Sequence, residues 1–186
     1  MSDEIRILGI PGSLRAGSFN RSLLGAAKEL APNKTRIEIF DLASIPLYNG
    51  DVEAAGDPPG VAAFKEAIRV SHGVLMATPE YNHGVPGVMK NAIDWASRPP
   101  QNSALNGKPV GIIGASPGMI GSARGQSQLR QAFAFTNSYC MPQPEILVSH
   151  AHEKFDAEGK LVDAKTAEFL GRYLVAFREW ILRFAY

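Results

Sequence analysis

The chain has 186 residues, a length that suits one domain able to bury roughly 70% of its unfolded surface. Hydrophobic residues make up 45% and charged residues 20%, which is the balance of a folded globular protein and excludes a disordered or fibrous chain. The formal net charge of +1 gives no strong field for a polyanion, so neither a nucleic acid nor a membrane surface is expected as a partner.

The cysteine content and the length of the hydrophobic runs exclude further classes of protein. Cys140 is the single cysteine, which excludes an intrachain disulfide framework and every multi-cysteine metal site. No apolar run approaches the roughly 20 residues of a spanning helix, and residues 1–6 lack the layout of a signal peptide. These features predict a cytoplasmic protein that is neither exported nor embedded in a membrane.

Strand and helix patterns alternate along the chain. A short apolar run stopped by Pro11-Gly12 predicts the first strand, and leucines at helical spacing after Asn20 predict the first helix. The predicted strands are residues 5–10, 35–40, 72–78, 109–114 and 145–148. The predicted helices are residues 20–31, 61–68, 85–97, 125–137 and 164–184.

One connection is unusually long. Residues 45–60 are rich in proline and glycine and predict a loop that borders a site or an interface. The helix at residues 85–97, which carries Trp95, is a second candidate interface element. A tryptophan buried in an ordinary core is the equal alternative.

Five strands separated by helices predict an α/β fold, a three-layer sandwich with helices on both faces of a five-stranded parallel sheet. In such sheets, ligands bind beyond the carboxyl ends of the strands, where the strand order reverses. For the order 2-1-3-4-5, that point lies between the first and third strands. The loops that begin at Pro11 and Pro79 are therefore expected to face each other.

The first of these loops has the composition of an anion site. It supplies Ser13, Arg15 and Ser18 directly before the predicted helix at Asn20. Unpaired amides at a helix start favour a phosphate, hydroxyls can donate to it, and an arginine balances its charge. The alternative is a capped turn with a solvated arginine.

The glycine spacing indicates which phosphate could bind. Gly12 and Gly17 have Walker spacing, but Ser18 stands where the lysine is required, so a nucleoside triphosphate is not favoured. Gly9 and Gly12 do not form a dinucleotide fingerprint, and Asp41 is better explained as a cap than as a ribose-binding acid. A terminal monophosphate, as in FMN, remains as the candidate ligand of this loop.

Three motifs together resemble the NADPH-dependent FMN reductase family, in particular its quinone and chromate reductase branch. They are Gly12-Ser13-Leu14-Arg15 with Asn20, Pro79-Glu80-Tyr81-Asn82, and Lys90-Asn91-Ala92-Ile93-Asp94-Trp95. The match runs from Arg6 to about Glu145. The resemblance implies a single flavodoxin-like domain over residues 1–186, bound FMN, and NADPH or NADH as reductant.

The resemblance also assigns the site. The first motif is expected to contact the FMN phosphate, the second to border the ribityl chain and the ring, and a third loop to lie on the other side of the flavin. The implied contacts are Ser13, Arg15, Ser18, Phe19, Asn20, Pro79, Glu80, Tyr81, Asn82, Ser116 and Gly118. Phe19 and Asn20 are expected to act partly through backbone amides, and Glu80 is not expected to be an acid catalyst.

Three of these residues have a second interpretation that stays open. Asn82 could cap a helix, Tyr81 could lie in an interface, and Ser116 could belong to a plain turn. No catalytic acid or base is expected, because the flavin carries the chemistry.

The implied activity is a two-electron transfer with ping-pong kinetics. NADPH or NADH delivers a hydride to flavin N5 and leaves, and a small acceptor such as a quinone, an azo dye, chromate or free flavin then takes two electrons. A homodimer or homotetramer is implied. The alternatives are an FMN reductase that releases reduced flavin and a non-catalytic flavodoxin-like carrier, and the charge of +1 favours an enzyme over a carrier that docks by an acidic patch.

Three other sequence features resemble parts of catalytic or metal-binding sites, but none of them is complete. Ser116 lies in a G-x-S-x-G pattern, yet Pro117 has no N–H for an oxyanion hole, so a serine hydrolase is rejected. His150 and His152 lack a third metal ligand at convincing spacing, so no metal site is expected. Cys140 has no basic sequence neighbour and is expected to be a packed thiol.

Overall fold

A parallel sheet forms the centre of the molecule, in a computed structural model that describes residues 4–184. Its four longer strands are β1 (Ile5–Pro11), β2 (Thr35–Ile39), β3 (Gly73–Ala77) and β4 (Pro109–Ala115). The order is β2-β1-β3-β4-β5, in which the short strand β5 (Tyr139–Cys140) lies beside β4. The predicted α/β fold and strand order are confirmed.

The edge next to β4 differs from the prediction in one respect. Two short strands share the fifth position, because β5 pairs with the start of β4 and β6 (Ile146–Val148) pairs with its end. The sheet therefore has six strands rather than five. The sequence pattern detected only β6, since β5 is two residues long and has no alternation of its own.

Six helices surround the sheet in the described part of the chain. They are α1 (Phe19–Glu29), α2 (Gly50–Ala54), α3 (Pro59–Val70), α4 (Gly87–Ala96), α5 (Ala123–Phe135) and α6 (Ala164–Leu182). No helix among residues 4–184 is both long and apolar enough to cross a membrane.

The core is split by the sheet into two layers of side chains. On one face, Leu23 of α1 and Phe177 of α6 pack with Leu75 of β3. On the other face, Phe64 of α3 and Phe133 of α5 pack with residues of the central strands. Because both faces are covered, the central strands β3 and β4 are buried at every position, and the molecule is the predicted three-layer sandwich.

The predicted loop at residues 45–60 is more ordered than expected. It contains α2, which Asn49 caps by accepting a hydrogen bond from the Asp51 N–H at 2.9 Å, and it runs into the first turn of α3. The sequence pattern missed α2 because the helix is only five residues long and buries no residue. Trp95 of α4 is fully buried and donates to the Pro46 carbonyl at 2.9 Å, so it anchors this segment from within the core.

Candidate functional site

The strand order places the predicted loops side by side. At their carboxyl ends, Pro11 of β1 pairs with Ala77 of β3, and the Gly12 N–H donates to the Ala77 carbonyl at 2.8 Å. A Cβ on Gly12 would lie 3.1 Å from the Pro79 ring, so glycine permits the close approach of the two loops. The predicted meeting of these loops at the switch point is confirmed.

Three loops enclose a cavity of about 480 Å³ at this edge of the sheet. They follow β1, β3 and β4. The lining residues are Ser13, Arg15, Ser18, Phe19, Asn20, Pro79, Glu80, Tyr81, Ala115, Ser116 and Pro117. The structure therefore brings together every predicted site residue except Asn82 and Gly118, which do not line the cavity.

The start of α1 provides a set of free hydrogen-bond donors. Ser18 is the N-cap, and its hydroxyl accepts from the Arg21 N–H at 3.4 Å. Within the described chain, the backbone N–H groups of residues 17–20 have no hydrogen-bond acceptor. These donors, at the positive end of the helix dipole, are the arrangement that binds an anion.

Ser13 lies deep beside these amides and is only 4% exposed. Its hydroxyl oxygen accepts from the Arg15 N–H at 3.3 Å and lies 3.4 Å from the Tyr81 hydroxyl oxygen. The contact joins the first loop to the second across the cavity, and it places two hydroxyl groups where both loops meet.

Arg15 supplies a positive charge without a carboxylate partner. Among residues 4–184, no Asp or Glu oxygen lies within 4.0 Å of its guanidinium nitrogens. The guanidinium carbon instead lies 5.8 Å from the centre of the Phe19 ring. The cation is thus held over an aromatic face and stays available to an anionic ligand.

Asn20 has a structural role that the motif did not indicate. Its side chain is 2% exposed, accepts from the Ala115 N–H and donates to the Ala115 carbonyl, both at 2.9 Å. Both ends of the amide are occupied, so any contact of Asn20 with a ligand is expected through its backbone N–H. The side chain fastens α1 to the end of β4.

Glu80 caps a helix rather than offering a free carboxylate. Its Oε2 accepts from the Arg124 N–H at 2.9 Å and from the Gly125 N–H at 3.1 Å, at the start of α5. A carboxylate is favourable there because it satisfies orphan amides at the positive end of the dipole. Glu80 thereby fixes the second loop against α5.

Asn82 lies in a tight turn beside the cavity. Tyr81 and Gly84 pair across the turn, and Asn82 and His83 both have positive φ, at 51° and 62°. Asparagine tolerates this left-handed conformation, which a two-residue turn of this type needs at both central positions. The motif thus reflects turn geometry at Asn82, and the Tyr81 side chain is left 51% exposed.

The third loop is tied to the segment after β6. The Ser116 hydroxyl accepts from the Gly118 N–H at 3.2 Å, while the Ala151 N–H donates to the Ser116 carbonyl at 3.0 Å and the His150 N–H to the Gly118 carbonyl at 3.2 Å. Ser116 lines the cavity within a hydrogen-bonded turn, and Gly118 lies outside it. Ala115 and Pro117 of the same loop also line the cavity, although the resemblance implied only Ser116 and Gly118 as its contacts.

Cys140 lies away from the cavity, on β5. Burial raises the pKa of its thiol even though Arg130 Nη1 lies 3.4 Å from the sulfur. The thiol is therefore protonated at neutral pH, as expected for a packed rather than a reactive cysteine.

The donor set of the cavity fits an FMN phosphate. A phosphate monoester needs several hydrogen-bond donors and a cation, and the free amides of residues 17–20, the hydroxyls of Ser13 and Ser18, and Arg15 supply them. The other two loops offer Pro79, Tyr81 and backbone groups for a flat, partly polar ring.

A doubly wound parallel sheet of order 2-1-3-4-5, with an anion-binding loop after its first strand, defines a flavodoxin-like protein. The family model for NADPH-dependent FMN reductase matches residues 5–153, and the chain belongs to this family. The resemblance seen in the three motifs is confirmed.

Similar proteins match this chain over nearly its whole length. An NAD(P)H-dependent FMN reductase of Pseudomonas aeruginosa is 49% identical over 183 residues, covering 98% of both chains. A 2-hydroxy-1,4-benzoquinone reductase of Burkholderia sp is 42% identical, covering 95% of this chain and 96% of that one. The solved structure of FerB, a flavoenzyme NAD(P)H:(acceptor) oxidoreductase from Paracoccus denitrificans, superposes with a TM-score of 0.89 at 37% identity, covering 96% and 98% of the two chains.

Proposed function

We propose that this protein is an FMN-dependent NAD(P)H oxidoreductase that passes two electrons to a quinone or a similar small acceptor. The observation that carries the proposal is the cavity at the switch point, where free amides, two buried hydroxyls and an unpaired arginine converge. When bound, FMN supplies the redox chemistry, taking a hydride from NADPH or NADH and giving two electrons to the acceptor.

The chain's own residues would bind the cofactor and orient it. We assign Ser13, Arg15 and Ser18, with the backbone N–H groups of Phe19 and Asn20, to the phosphate. These donors are organised before the ligand arrives, because Ser18 is fixed as the N-cap of α1 and Asn20 is fastened to Ala115. Preorganised donors lose little entropy on binding, which favours a tightly held cofactor.

The two remaining loops are assigned to the ring. Pro79, Glu80 and Tyr81 would border it on one side and Ser116 on the other, while Asn82 and Gly118 act through the turns that shape these loops. The Glu80 carboxylate is engaged with amides of α5, so no proton transfer is assigned to it. Exclusion of water and exposure of one ring face to both substrates are the roles left to these loops.

The acceptor class rests on the relatives. Proteins named quinone reductase or 2-hydroxy-1,4-benzoquinone reductase are 41% to 42% identical to this chain over nearly its full length. A second candidate is reduction of free FMN with release of the product, supported by the 49% identical relative named NAD(P)H-dependent FMN reductase.

Turnover of the purified, FMN-loaded protein tests the proposal. NADPH or NADH oxidation should accelerate on addition of a soluble benzoquinone, with ping-pong kinetics, and the flavin absorbance should elute with the protein after turnover. Flavin that leaves the protein during turnover would favour the FMN reductase instead. A loaded protein that oxidises neither nucleotide would leave only a flavodoxin-like carrier.

We also propose a homodimer or homotetramer in the cytoplasm. The proposal is supported by large apolar side chains on the surface of the single chain, such as Leu47 at 85% and Phe135 at 91% exposure. Light scattering after gel filtration should give a mass of at least two chains. A monomer at micromolar concentration would remove this part of the proposal.

A further inference from the structure

A short hairpin beyond the residues matched by the family model packs beside the phosphate-binding end of the cavity. Residues 154–162, called here the 154–162 hairpin, are closed by a bridge between Phe155 and Leu161 and by a hydrogen bond from the Val162 N–H to the Lys154 carbonyl at 2.9 Å. Its turn is held by Asp156, whose Oδ1 accepts from two backbone N–H groups at 3.1 and 2.8 Å. The hairpin is therefore a defined structure and not an open connection.

The hairpin is seated on α1. Its turn residue Gly159 has φ of +79°, and a Cβ there would lie 2.7 Å from the Ser22 hydroxyl oxygen, so the backbone of the turn lies directly against the helix. Phe155 is 6% exposed and belongs to the core layer that α1 and α6 share. The first two turns of α1 thus have a packing partner from the far end of the chain.

Three side chains link this hairpin to the anion site. The Phe155 ring centre lies 5.9 Å from that of Phe19, and the guanidinium carbon of Arg15 lies 5.8 Å from the Phe19 ring centre. Phe19 is only partly buried and packs against the core that includes Phe155. Arg15 has no carboxylate within 4.0 Å among residues 4–184, and its guanidinium contacts the Phe19 ring instead.

We propose that Phe155 is a positioning residue for the cofactor phosphate: it fixes the Phe19 ring, and the Phe19 ring orients the Arg15 guanidinium at the cavity. The inference rests on the proposed function, since it concerns FMN at this cavity. A long arginine side chain loses conformational freedom when it binds a ligand, and packing on a fixed aromatic face removes part of that loss in advance.

The first test compares two ligands that differ only in the phosphate. Phe155→Leu should raise the FMN dissociation constant of the full-length, flavin-depleted protein by about three- to tenfold in calorimetric titration, the range of one aromatic packing contact. The riboflavin dissociation constant should change less than about twofold, because riboflavin has no phosphate for Arg15 to bind.

A matched control separates positioning from general destabilisation. Phe64→Leu makes the same change at a fully buried ring on the other face of the sheet, where Phe64 packs on Phe40 at 5.1 Å between centres. It should leave both dissociation constants unchanged. Phe19→Leu, at a partly buried position that tolerates the change better, should repeat the FMN-selective loss and serves if Phe155→Leu does not fold.

The second test asks whether Phe155 acts through Arg15. In an Arg15→Ala background, Phe155→Leu should change the FMN dissociation constant less than about twofold, because coupled residues are not additive. An equal loss for FMN and riboflavin, an unchanged FMN affinity, or the same factor in both backgrounds would each overturn the inference. Failure of the wild-type protein to bind FMN would overturn the proposed function itself, which is a distinct result.

Discussion

Two loops of this chain, both rich in glycine or proline, differ in whether their charged side chains are paired within the protein. In the loop at residues 12–20, the amides of residues 17–20 and the Arg15 guanidinium are left without partners in the described chain. In the loop at residues 45–60, the carboxylates of Glu53 and Asp57 are instead paired with Arg98 and Lys65. An unpaired cation beside free amides, rather than loop length or composition, therefore distinguishes the candidate ligand site.

The pairing in the second loop is extensive. The Tyr48 hydroxyl donates to Glu53 Oε2 at 2.7 Å, and Arg98 Nε donates to the same oxygen at 3.2 Å. The fully buried Lys65 ammonium contacts Asp57 Oδ1 at 2.6 Å. These contacts fasten the loop to α3 and to the segment after α4. The prediction that it borders a site or an interface stays a prediction.

Asp57→Ala should have the largest effect, on stability. It leaves the buried Lys65 ammonium unpaired and should lower the free energy of unfolding by about 3 kcal/mol, as measured by urea denaturation. Lys65→Met is the matched control, because it leaves only the more exposed Asp57 without a partner and should cost less than Asp57→Ala. FMN affinity should stay within about twofold in both variants, a range that corresponds to well under 1 kcal/mol. An equal loss of stability in both would contradict the role given to Lys65.

Arg15→Ala should have the next largest effect, on binding and not on stability. Loss of a charged hydrogen bond to the phosphate should weaken FMN binding by roughly 1.5 to 3 kcal/mol, while the urea midpoint should not change because Arg15 has no protein carboxylate partner among residues 4–184. Calorimetric titration with FMN measures the loss. Unchanged flavin occupancy would refute the phosphate assignment of this loop.

Asp41→Asn should have the smallest effect, and one that depends on pH. The Ala43 N–H and then the Arg21 guanidinium hold the pKa of Asp41 below its usual value, and the residue caps the turn that begins the segment leading to α2. Because the folded-state pKa lies below the unfolded one, the stabilisation is present above a pH of about 4 and is lost as the pH falls through the lowered pKa.

Both side chains of this ion pair are partly exposed, so the difference between wild type and Asp41→Asn should be less than about 1 kcal/mol at pH 7. The difference should vanish once the pH falls below the lowered pKa of Asp41. Urea denaturation at several pH values measures it. Asparagine can still cap the turn, so a difference that persists in acid would point to lost packing instead of a lost ion pair.

Much of the fold and the site followed from local pattern. Each strand and helix predicted from apolar runs and helical faces is present in the structure. The switch-point rule also predicted that the first and second loops lie together. The pattern failed where elements are too short to have a period, as in β5 and α2. Asn82 and Gly118 do not line the cavity, and their assignment as cofactor contacts stays a prediction, because a motif records which residues occur in a loop and not which of them face its cavity.

The chain order of apolar and polar residues was enough to predict the α/β class and to indicate the loop that suits an anion. Only the tertiary structure determined which polar groups of the loops remain free, because the groups that pair with the others come from residues far away in the chain. The Asn20 side chain is occupied by Ala115, which is 95 positions distant, and Glu80 by amides of Arg124 and Gly125. Hydrogen bonds and packing of this kind depend on distance in space, and no local sequence pattern records that distance.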